Sequence, residues 1–173
     1  MQEPAGSISI EQAKKDKLFY VVVTVVPYRK SDGSVLLLKR SEREIAHPGR
    51  WGIPGGKLEH GDLDVNNPDI LNGNVKDYLY AVERLAERET REEAGIGIDT
   101  SEMKFVSSKT FIRPDNVPSV LFQFTAPVDE QDMNVVLEEG GFTDYAWVQE
   151  NEFENYDCID GIPEEARKAI ALY

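Results

Sequence analysis

The chain has very few residues that carry sulfur or imidazole chemistry. Cys158 is the only cysteine among 173 residues, and there are two histidines. A single cysteine cannot form a disulfide within the chain, and a cysteine-based metal site needs several thiolates. Both features are therefore excluded, and we expect the protein to work in a reducing cytoplasm.

Long apolar runs and basic side chains are also scarce. No apolar run approaches the length of a bilayer span, and residues 1–17 are polar, so we expect neither export nor membrane insertion. The 32 acidic and 19 basic side chains give a formal charge of −13. Such a chain repels a phosphate backbone unless a cation mediates the contact, so we expect no long nucleic acid as partner. With 40% hydrophobic residues, the length indicates one domain, 1–173, with a mobile N-terminus at 1–17.

Apolar runs separated by turn signals predict a mixed α/β fold. The predicted strands are 18–28, 35–40, 103–113, 117–128 and 143–148, and the predicted helices are 77–94 and 163–173. The first run is continuously β-branched and aromatic, which is typical of a central strand, and Asp32-Gly33 predicts a hairpin after it. Strands on both sides of one long helix, with a second helix at the end, predict an α/β/α sandwich with a mixed sheet.

Two further segments are predicted to be loops. Residues 46–56 are rich in proline and glycine, so we expect irregular structure there apart from a short extended piece at 51–54. Residues 63–76 contain the turn signals Asn-Asn-Pro and Asn-Gly-Asn and few large apolar side chains. We therefore expect an inserted surface loop at 63–76.

Three glutamates lie where the apolar face of the long helix should continue. The positions that share this face are Tyr78, Val82, Leu85 and Ala86. At about 100° per residue, Glu89 lies on the centre line of the face, and Glu92 and Glu93 flank it. Gly95 follows, where a left-handed C-terminal cap is expected. The helix is therefore predicted to end in a cluster of carboxylates.

This cluster needs a compensating charge. Negative side chains in the last turn of a helix oppose its dipole by roughly 0.3–1 kcal/mol each, and they also repel one another. A solvated charged face explains Glu87 and Arg91 at four-residue spacing, but it does not explain Glu89 and Glu93. Clustered carboxylates without cysteine or histidine suit Mg²⁺ or Mn²⁺. The segment predicts a metal site, and a buried arginine–glutamate network is the alternative.

The glycine-rich segment upstream supports the metal interpretation. Gly55 and Gly56 allow a backbone to approach a ligand closely, and their carbonyl oxygens are available to a cation. Glu59 is placed to bond back to the end of the helix. Most Gly-Gly pairs are simply turns, so this segment adds weight only in combination with the glutamates.

Together, these residues resemble the Nudix box, the signature of hydrolases that cleave nucleoside diphosphates linked to another group. The matching positions are Gly56, Arg88, Glu89, Glu92, Glu93, Gly95 and Ile96. The stretch PGGKLEHG resembles the usual lead-in of the motif, and Trp147 resembles a tryptophan often found near the C-terminus of the family. The resemblance implies the Nudix-type α/β/α sandwich.

The chain departs from the family pattern in three places. Asp62 stands where the pattern has glutamate, and Thr90 stands where it has an aliphatic residue. The two halves of the motif are separated by 25 residues, 63–87, where the family has seven. The metal-binding second half is intact, so we expect activity to survive while the surroundings of the site change shape.

The resemblance implies a metal-dependent hydrolase that opens a P–O–P linkage in a small nucleotide, such as a nucleoside triphosphate or a nucleoside diphosphate sugar. It also implies that Glu89, Glu92 and Glu93 are ligands of Mg²⁺ or Mn²⁺, with the Gly55 carbonyl as a further ligand. Arg88 would hold the carboxylates in place; a surface ion pair is the plain alternative for this residue. The metal would make an acidic protein compatible with an anionic substrate. A homodimer is compatible with this assignment.

Other roles are less constrained, because family members place the general base differently. Glu139 is the expected base, since it precedes Trp147 and adjoins a flexible glycine pair. Its neighbour Glu138 is also acidic, and Glu92 is the next choice for the base. The plain alternative is that Glu138 and Glu139 are solvated loop acids without a catalytic role. The residues considered for base or sugar contact are Phe111, Arg113, Asp115 and Phe122, although such residues more often belong to a strand surface or the core. His47 and His60, in glycine- and proline-rich loops, are expected to be exposed without a catalytic duty.

Two other functions remain open at this point. A non-catalytic nucleotide-binding module of the same fold would have lost hydrolysis, but the intact glutamate motif argues against this. Isopentenyl diphosphate isomerase chemistry occurs on a similar fold and requires a catalytic cysteine near the site. Cys158 lies far downstream of the motif, which disfavours the isomerase.

Overall fold

The structure is a computed structural model that describes residues 3–113, 115–128 and 134–173. Residues 3–17 are exposed and contain one short 3-10 turn, Lys15–Lys17. The mobility expected for 1–17 stays a prediction, and its first two residues lie outside the described ranges. Pro114, in the turn expected between two strands, also lies outside them. Within the described residues, no helix is long and apolar enough to cross a membrane.

The described chain contains nine strands and two α-helices. The strands are β1 (Tyr20–Arg29), β2 (Ser34–Arg40), β3 (Trp51–Gly52), β4 (Gly55–Lys57), β5 (Ile70–Asn72), β6 (Val75–Asp77), β7 (Lys104–Ile112), β8 (Pro118–Val128) and β9 (Phe142–Val148). The helices are α1 (Ala81–Ala94) and α2 (Ile162–Ile170). The five long strands and both helices therefore confirm the predicted α/β class.

β1 is the central strand of a seven-stranded mixed sheet. It runs parallel to β8 along its whole length, from Tyr20 opposite Ser119 to Arg29 opposite Val128. On its other side it pairs with β2 only next to the hairpin and with β4 at residues 22–24. The short strands β3 and β4 therefore fill the space where β1 and β2 separate, with β3 on β2 and β4 on β1.

The sheet is covered on both faces, which confirms the predicted α/β/α sandwich. Alternation along β1 and β2 places Val23, Val25, Leu36 and Leu38 against the buried face of α1. Val26, Val35 and Leu37 point to the opposite face, where Ala166 and Ala169 of α2 pack on them. α2 has Pro163 in its first turn and ends at Ile170 rather than at residue 173. Leu172 therefore lies beyond the helix, and it is exposed.

The prediction that 63–76 is a loop was only partly right. β5 and β6 form a separate antiparallel hairpin, with Ile70 opposite Asp77. Asp69 accepts a hydrogen bond from the Leu79 backbone at 2.8 Å and forms an ion pair with Arg84 at 2.9 Å. The Asn-Gly-Asn turn signal was correct, but the residues on either side of it pair as two short strands.

Two other boundaries were wrong. α1 begins at Ala81 rather than Asp77, because Asp77 belongs to β6 and Tyr80 has a left-handed backbone. Tyr78 therefore lies outside the helix. Gly55 and Gly56 were expected in a loop, but they form β4 and pair with Thr24 and Val23 of β1. The edge of β1 that β2 leaves unpaired is what makes this glycine segment a strand.

Candidate functional site

Arg88 lies between three carboxylates. Its guanidinium is 3.0 Å from Asp62, 2.9 Å from Glu89 and 2.9 Å from Glu92. Asp62 also accepts a hydrogen bond from the Glu59 backbone at 2.7 Å, so the acid is fixed in its own turn. The ion pair between Asp62 and Arg88 joins the two halves of the motif across the 25 residues, 63–87, that separate them. Arg88 is therefore more than an exposed i,i+4 partner of Glu92.

β4 lies directly against two of the predicted metal ligands. The Gly55 N–H donates a hydrogen bond to the carboxylate of Glu93 at 2.9 Å. A Cβ atom at Gly56 would overlap the carboxylate of Glu89. The absence of a side chain at Gly56 therefore creates the space that the Glu89 carboxylate occupies. The Gly55 carbonyl stays a predicted ligand.

The electrostatics of the two carboxylates are unusual. Burial raises the pKa of Glu93 to about 8, and the nearby Glu89 and Glu138 add to this, while the hydrogen bond from Gly55 and the positive charge of Arg40 oppose it. Burial also raises the pKa of Glu89, with Arg88 as the main opposing influence. Carboxylates that ionise with difficulty here would gain from a nearby cation.

The remaining motif residues support this end of α1. Gly95 has φ of 69° and donates its N–H to the Arg91 carbonyl at 2.9 Å, which confirms the predicted cap. Thr90 is buried, and its hydroxyl donates to the Ala86 carbonyl at 2.8 Å. A threonine therefore replaces an aliphatic residue here without leaving an unpaired hydroxyl.

Residues 134–138 cross the C-terminal end of α1. The Val136 N–H donates to the Ala94 carbonyl at 2.8 Å, and the Glu138 N–H donates to the Glu93 carbonyl at 3.1 Å. Negative charge on Glu138 contributes to the raised pKa of both Glu89 and Glu93. Both side chains are exposed, but Glu139 is not among the main influences on either pKa. The structure therefore brings Glu138 to the cluster, while the role of Glu139 stays a prediction.

The donor set fits Mg²⁺ or Mn²⁺. Its oxygens are carboxylates, and the glycine strand leaves room for them at Gly56. Across residues 3–113, 115–128 and 134–173, no three aspartate, glutamate, histidine or cysteine side chains already enclose a metal position. Glu92 is held by Arg88 and exposed, so it would have to turn from that ion pair to join Glu89 and Glu93.

A cavity of about 520 Å³ lies on the α2 side of the sheet and reaches this cluster through Gly55. Its walls combine the apolar side chains of Leu121, Phe111 and Phe142 with the basic side chain of Arg40. This volume is in the range of small-ligand sites. No residue of the inserted segment, 63–76, contributes to its walls.

Of the other residues considered for substrate contact, some line the cavity and others lie elsewhere. Phe111 and His47 line the cavity. Phe122 packs against the core under α1, and Arg113 pairs with Asp115 at 2.9 Å. His60 is exposed in a short 3-10 turn, His60–Asp62.

Cys158 is buried and lies in a backbone bridge with Trp51. Burial raises the pKa of its thiol, and the adjacent Asp157 adds to this effect. A thiol with a raised pKa is a poor nucleophile at neutral pH. This environment is the opposite of what the isomerase alternative requires.

Sequence reasoning missed a polar network in the cavity, formed by Lys109, Gln123 and Glu165. Glu165 forms an ion pair with Lys109, and its other oxygen accepts a hydrogen bond from the Gln123 side chain at 2.8 Å. Two signals were available: a glutamine inside the apolar run VLFQFTAPV, and a glutamate on the α2 face that carries Ala166 and Ala169. Neither indicates the other, because 42 residues separate them.

No family model matches the chain. The nucleoside triphosphatase NudI of Salmonella arizonae is 28% identical over 141 residues, which cover 77% of this chain and 85% of that protein. The MutT protein of Methanosarcina mazei Go1 has a TM-score of 0.63 and 20% identity, with coverage of 92% of this chain and 98% of the other. The Nudix domain of Shewanella oneidensis NrtR, solved with ADP ribose, has a TM-score of 0.66 and 16% identity, with coverage of 94% and 92%.

Proposed function

Because the chain belongs to the Nudix hydrolase family, we propose that it hydrolyses the P–O–P linkage of a small nucleotide, either a nucleoside triphosphate or a nucleoside diphosphate sugar. One observation carries this proposal. The carboxylates of Glu89 and Glu93 lie against β4, at Gly56 and Gly55, beside a cavity large enough for a nucleotide. The NudI relative is named a nucleoside triphosphatase, which supports the substrate class.

Glu89, Glu92 and Glu93 would hold Mg²⁺ or Mn²⁺. When bound, the metal supplies charge neutralisation for the phosphates and acidifies the attacking water. The chain's own residues prepare the site. Arg88 orients Glu89 through a contact of 2.9 Å, and the Gly55 N–H orients Glu93 at 2.9 Å. Rigid carboxylates of this kind reduce the reorganisation needed during the reaction.

The proton of the attacking water needs an acceptor that is not a metal ligand. Glu138 meets this requirement, because its backbone is fixed to the end of α1 at the Glu93 carbonyl and its charge influences Glu89 and Glu93. We assign the acceptor role to the Glu138 carboxylate, with Glu139 as the competing assignment. Arg40, in the cavity wall, is placed to attract the phosphates.

The proposal includes a location in the cell and a partner. We place the protein in the cytoplasm on the basis of its single, buried cysteine and its nucleotide substrate class. A homodimer remains part of the proposal, and the exposed hairpin β5–β6 is the surface where a second copy would be sought. Ile70, Leu71 and Val75 are all exposed on it.

A panel of nucleotides incubated with Mg²⁺ tests the proposal. Nucleoside triphosphates, nucleoside diphosphate sugars and isopentenyl diphosphate are offered separately, and released phosphate, released nucleotide and isomerised product are measured. We expect nucleotide cleavage that stops when the metal is chelated. Binding without cleavage would establish the non-catalytic module instead, and turnover of isopentenyl diphosphate alone would establish the isomerase.

A further inference from the structure

We infer that the cavity beside Gly55 binds the base of the substrate and selects guanine, because Lys109 and Glu165 place one hydrogen-bond donor next to two acceptors. This inference rests on the proposed function for the position of the phosphates. It adds a substrate preference that hydrolysis alone does not require.

The cavity adjoins the carboxylate cluster at Gly55. Gly55 lines the cavity, and its N–H also binds the Glu93 carboxylate at 2.9 Å. Arg40 lines the same wall and is close enough to Glu93 to lower its pKa. A nucleotide with its phosphates at the glutamates would therefore place the remainder of the molecule in the cavity.

The walls of the cavity suit a flat, partly apolar group. Phe111 and Phe142 are aromatic, and Leu121 contributes an aliphatic surface between the strands. The Arg40 guanidinium lies over the Phe142 ring, 5.9 Å from its centroid, and this contact helps to hold the ring in position. Aromatic side chains bind bases through their faces without regard to sequence. These walls account for binding of a base, and selection among bases must come from the polar groups.

The polar groups form a fixed arrangement inside the cavity. Glu165 is only 9% exposed, and its two oxygens bind different partners: the Lys109 ammonium and the Gln123 side-chain nitrogen, the latter at 2.8 Å. The Gln123 oxygen accepts a hydrogen bond from the Ser107 hydroxyl at 3.3 Å, which fixes the orientation of the amide. The carboxylate of Glu165 and the ammonium of Lys109 are therefore held in fixed positions relative to each other.

This arrangement retains hydrogen-bonding capacity. A carboxylate has about four lone-pair positions and an ammonium has three donors, so Glu165 and Lys109 each have positions left after their mutual contact. Guanine presents an acceptor, O6, next to two N–H donors, N1 and N2, on one edge. Lys109 would donate to O6 while Glu165 accepts from N1 and N2. Adenine, cytosine and uracil lack two adjacent donors, so none of them satisfies both oxygens of Glu165.

Calorimetric binding of nucleoside monophosphates to the protein in the presence of Mg²⁺ tests the inference without relying on hydrolysis, because these probes contain no P–O–P linkage to cleave. The probes are GMP, AMP, CMP and UMP. We expect GMP to bind at least about tenfold more tightly than the other three, as a good bidentate base contact provides. Equal binding of the four, no measurable binding of any, or preference for another base overturns the inference.

Three variants assign the preference to the polar groups. Glu165→Gln replaces one acceptor oxygen with a donor, and Lys109→Met removes the ammonium, so each should reduce the GMP preference to within about threefold. Glu164→Gln makes the same charge change at an exposed neighbour on α2 and should retain the preference. Thermal melting confirms that each variant is folded. A preference that persists in both cavity variants contradicts the assignment, whereas loss of hydrolysis with GMP selection intact contradicts only the proposed function.

Discussion

The backbone N–H of Gly55 donates a hydrogen bond to the carboxylate of Glu93 across 2.9 Å, and this contact joins a two-glycine strand to the end of the long helix. Burial at this junction raises the pKa of Glu93 to about 8, in spite of the hydrogen bond that favours its charged form. The protein therefore keeps a carboxylate in an environment that disfavours its negative charge. Such a position costs stability and is typical of a functional site.

Metal-free protein should lose stability as pH rises from about 5 to about 8. The pKa of Glu93 is about 8 in the folded state and 4.5 as an ordinary carboxyl. A raised pKa means that the folded state binds the proton more tightly, so this stabilisation is complete below pH 4.5 and is lost as pH approaches 8. Melting temperatures measured with a chelator should fall by roughly 5 °C or more.

Two variants isolate this effect from other titrating groups. Glu93→Gln cannot ionise at this position, so its melting temperature should depend less on pH than that of the wild type. Glu87→Gln makes the same change on the outer face of α1, where Glu87 pairs with Arg91, and should follow the wild-type curve. Parallel curves for the wild type and Glu93→Gln would show that Glu93 ionises normally.

Gly56→Ala should reduce turnover strongly with little change in melting temperature. The new methyl group would overlap the Glu89 carboxylate, which lies at the end of a flexible side chain and can move. Misplacement of a catalytic group by about 1 Å can cost on the order of a hundredfold in rate. The matched control is Gly61→Ala, because a Cβ at Gly61 has no atom within 4 Å. Equal turnover of the two variants would mean that the position of Glu89 is unimportant.

The strands and helices were largely predictable because each has a strong local signal. The run at β1 has the continuous β-branched pattern of a strand buried on both faces, and Gly95 marks the end of α1. The cluster of Glu89 and Glu93 was also predictable, because carboxylates on an apolar face contradict the rest of the helix. These signals are all contained within a dozen or so residues.

The parts that were not predicted depend on contacts between distant segments. β4 is a strand only because β2 leaves one edge of β1 free at residues 22–24. Asp62 and Arg88 are 26 residues apart and meet only after the insertion folds back. Likewise, the network of Gln123 and Glu165 joins β8 to α2. No local pattern indicates which distant partner such a residue will contact.

The pair Glu138 and Glu139 provides a direct test of the general base. Glu138→Gln should lower kcat by on the order of a hundredfold or more with KM little changed, because the acceptor of the water proton is lost. Glu139→Gln should be mild, since of the two residues only Glu138 has its backbone bonded to the end of α1, at the Glu93 carbonyl. From the sequence alone, the opposite order was expected. A strong effect at Glu139 with a mild one at Glu138, both measured at saturating Mg²⁺, would restore that order.

The insertion should affect the stability of α1 more than the chemistry. Asp69 binds the Leu79 backbone at 2.8 Å and Arg84 at 2.9 Å, so Asp69→Asn should loosen the start of the helix. Hydrogen exchange should become faster at residues 79–84, while kcat at saturating Mg²⁺ stays within about twofold, because the insertion does not line the cavity. Glu83→Gln is the neighbouring control. A large fall in kcat for Asp69→Asn would show that the hairpin contributes to the site.

The most direct test of the account compares nucleotide hydrolysis by the wild type, Glu93→Gln and Glu87→Gln, each with Mg²⁺ and with a chelator. The wild type and Glu87→Gln should turn over with Mg²⁺ and lose activity when the metal is removed. Glu93→Gln should retain its fold and lose most activity under both conditions, since it would lack a metal ligand. Wild-type turnover by Glu93→Gln, or hydrolysis that persists in chelator, would contradict the account.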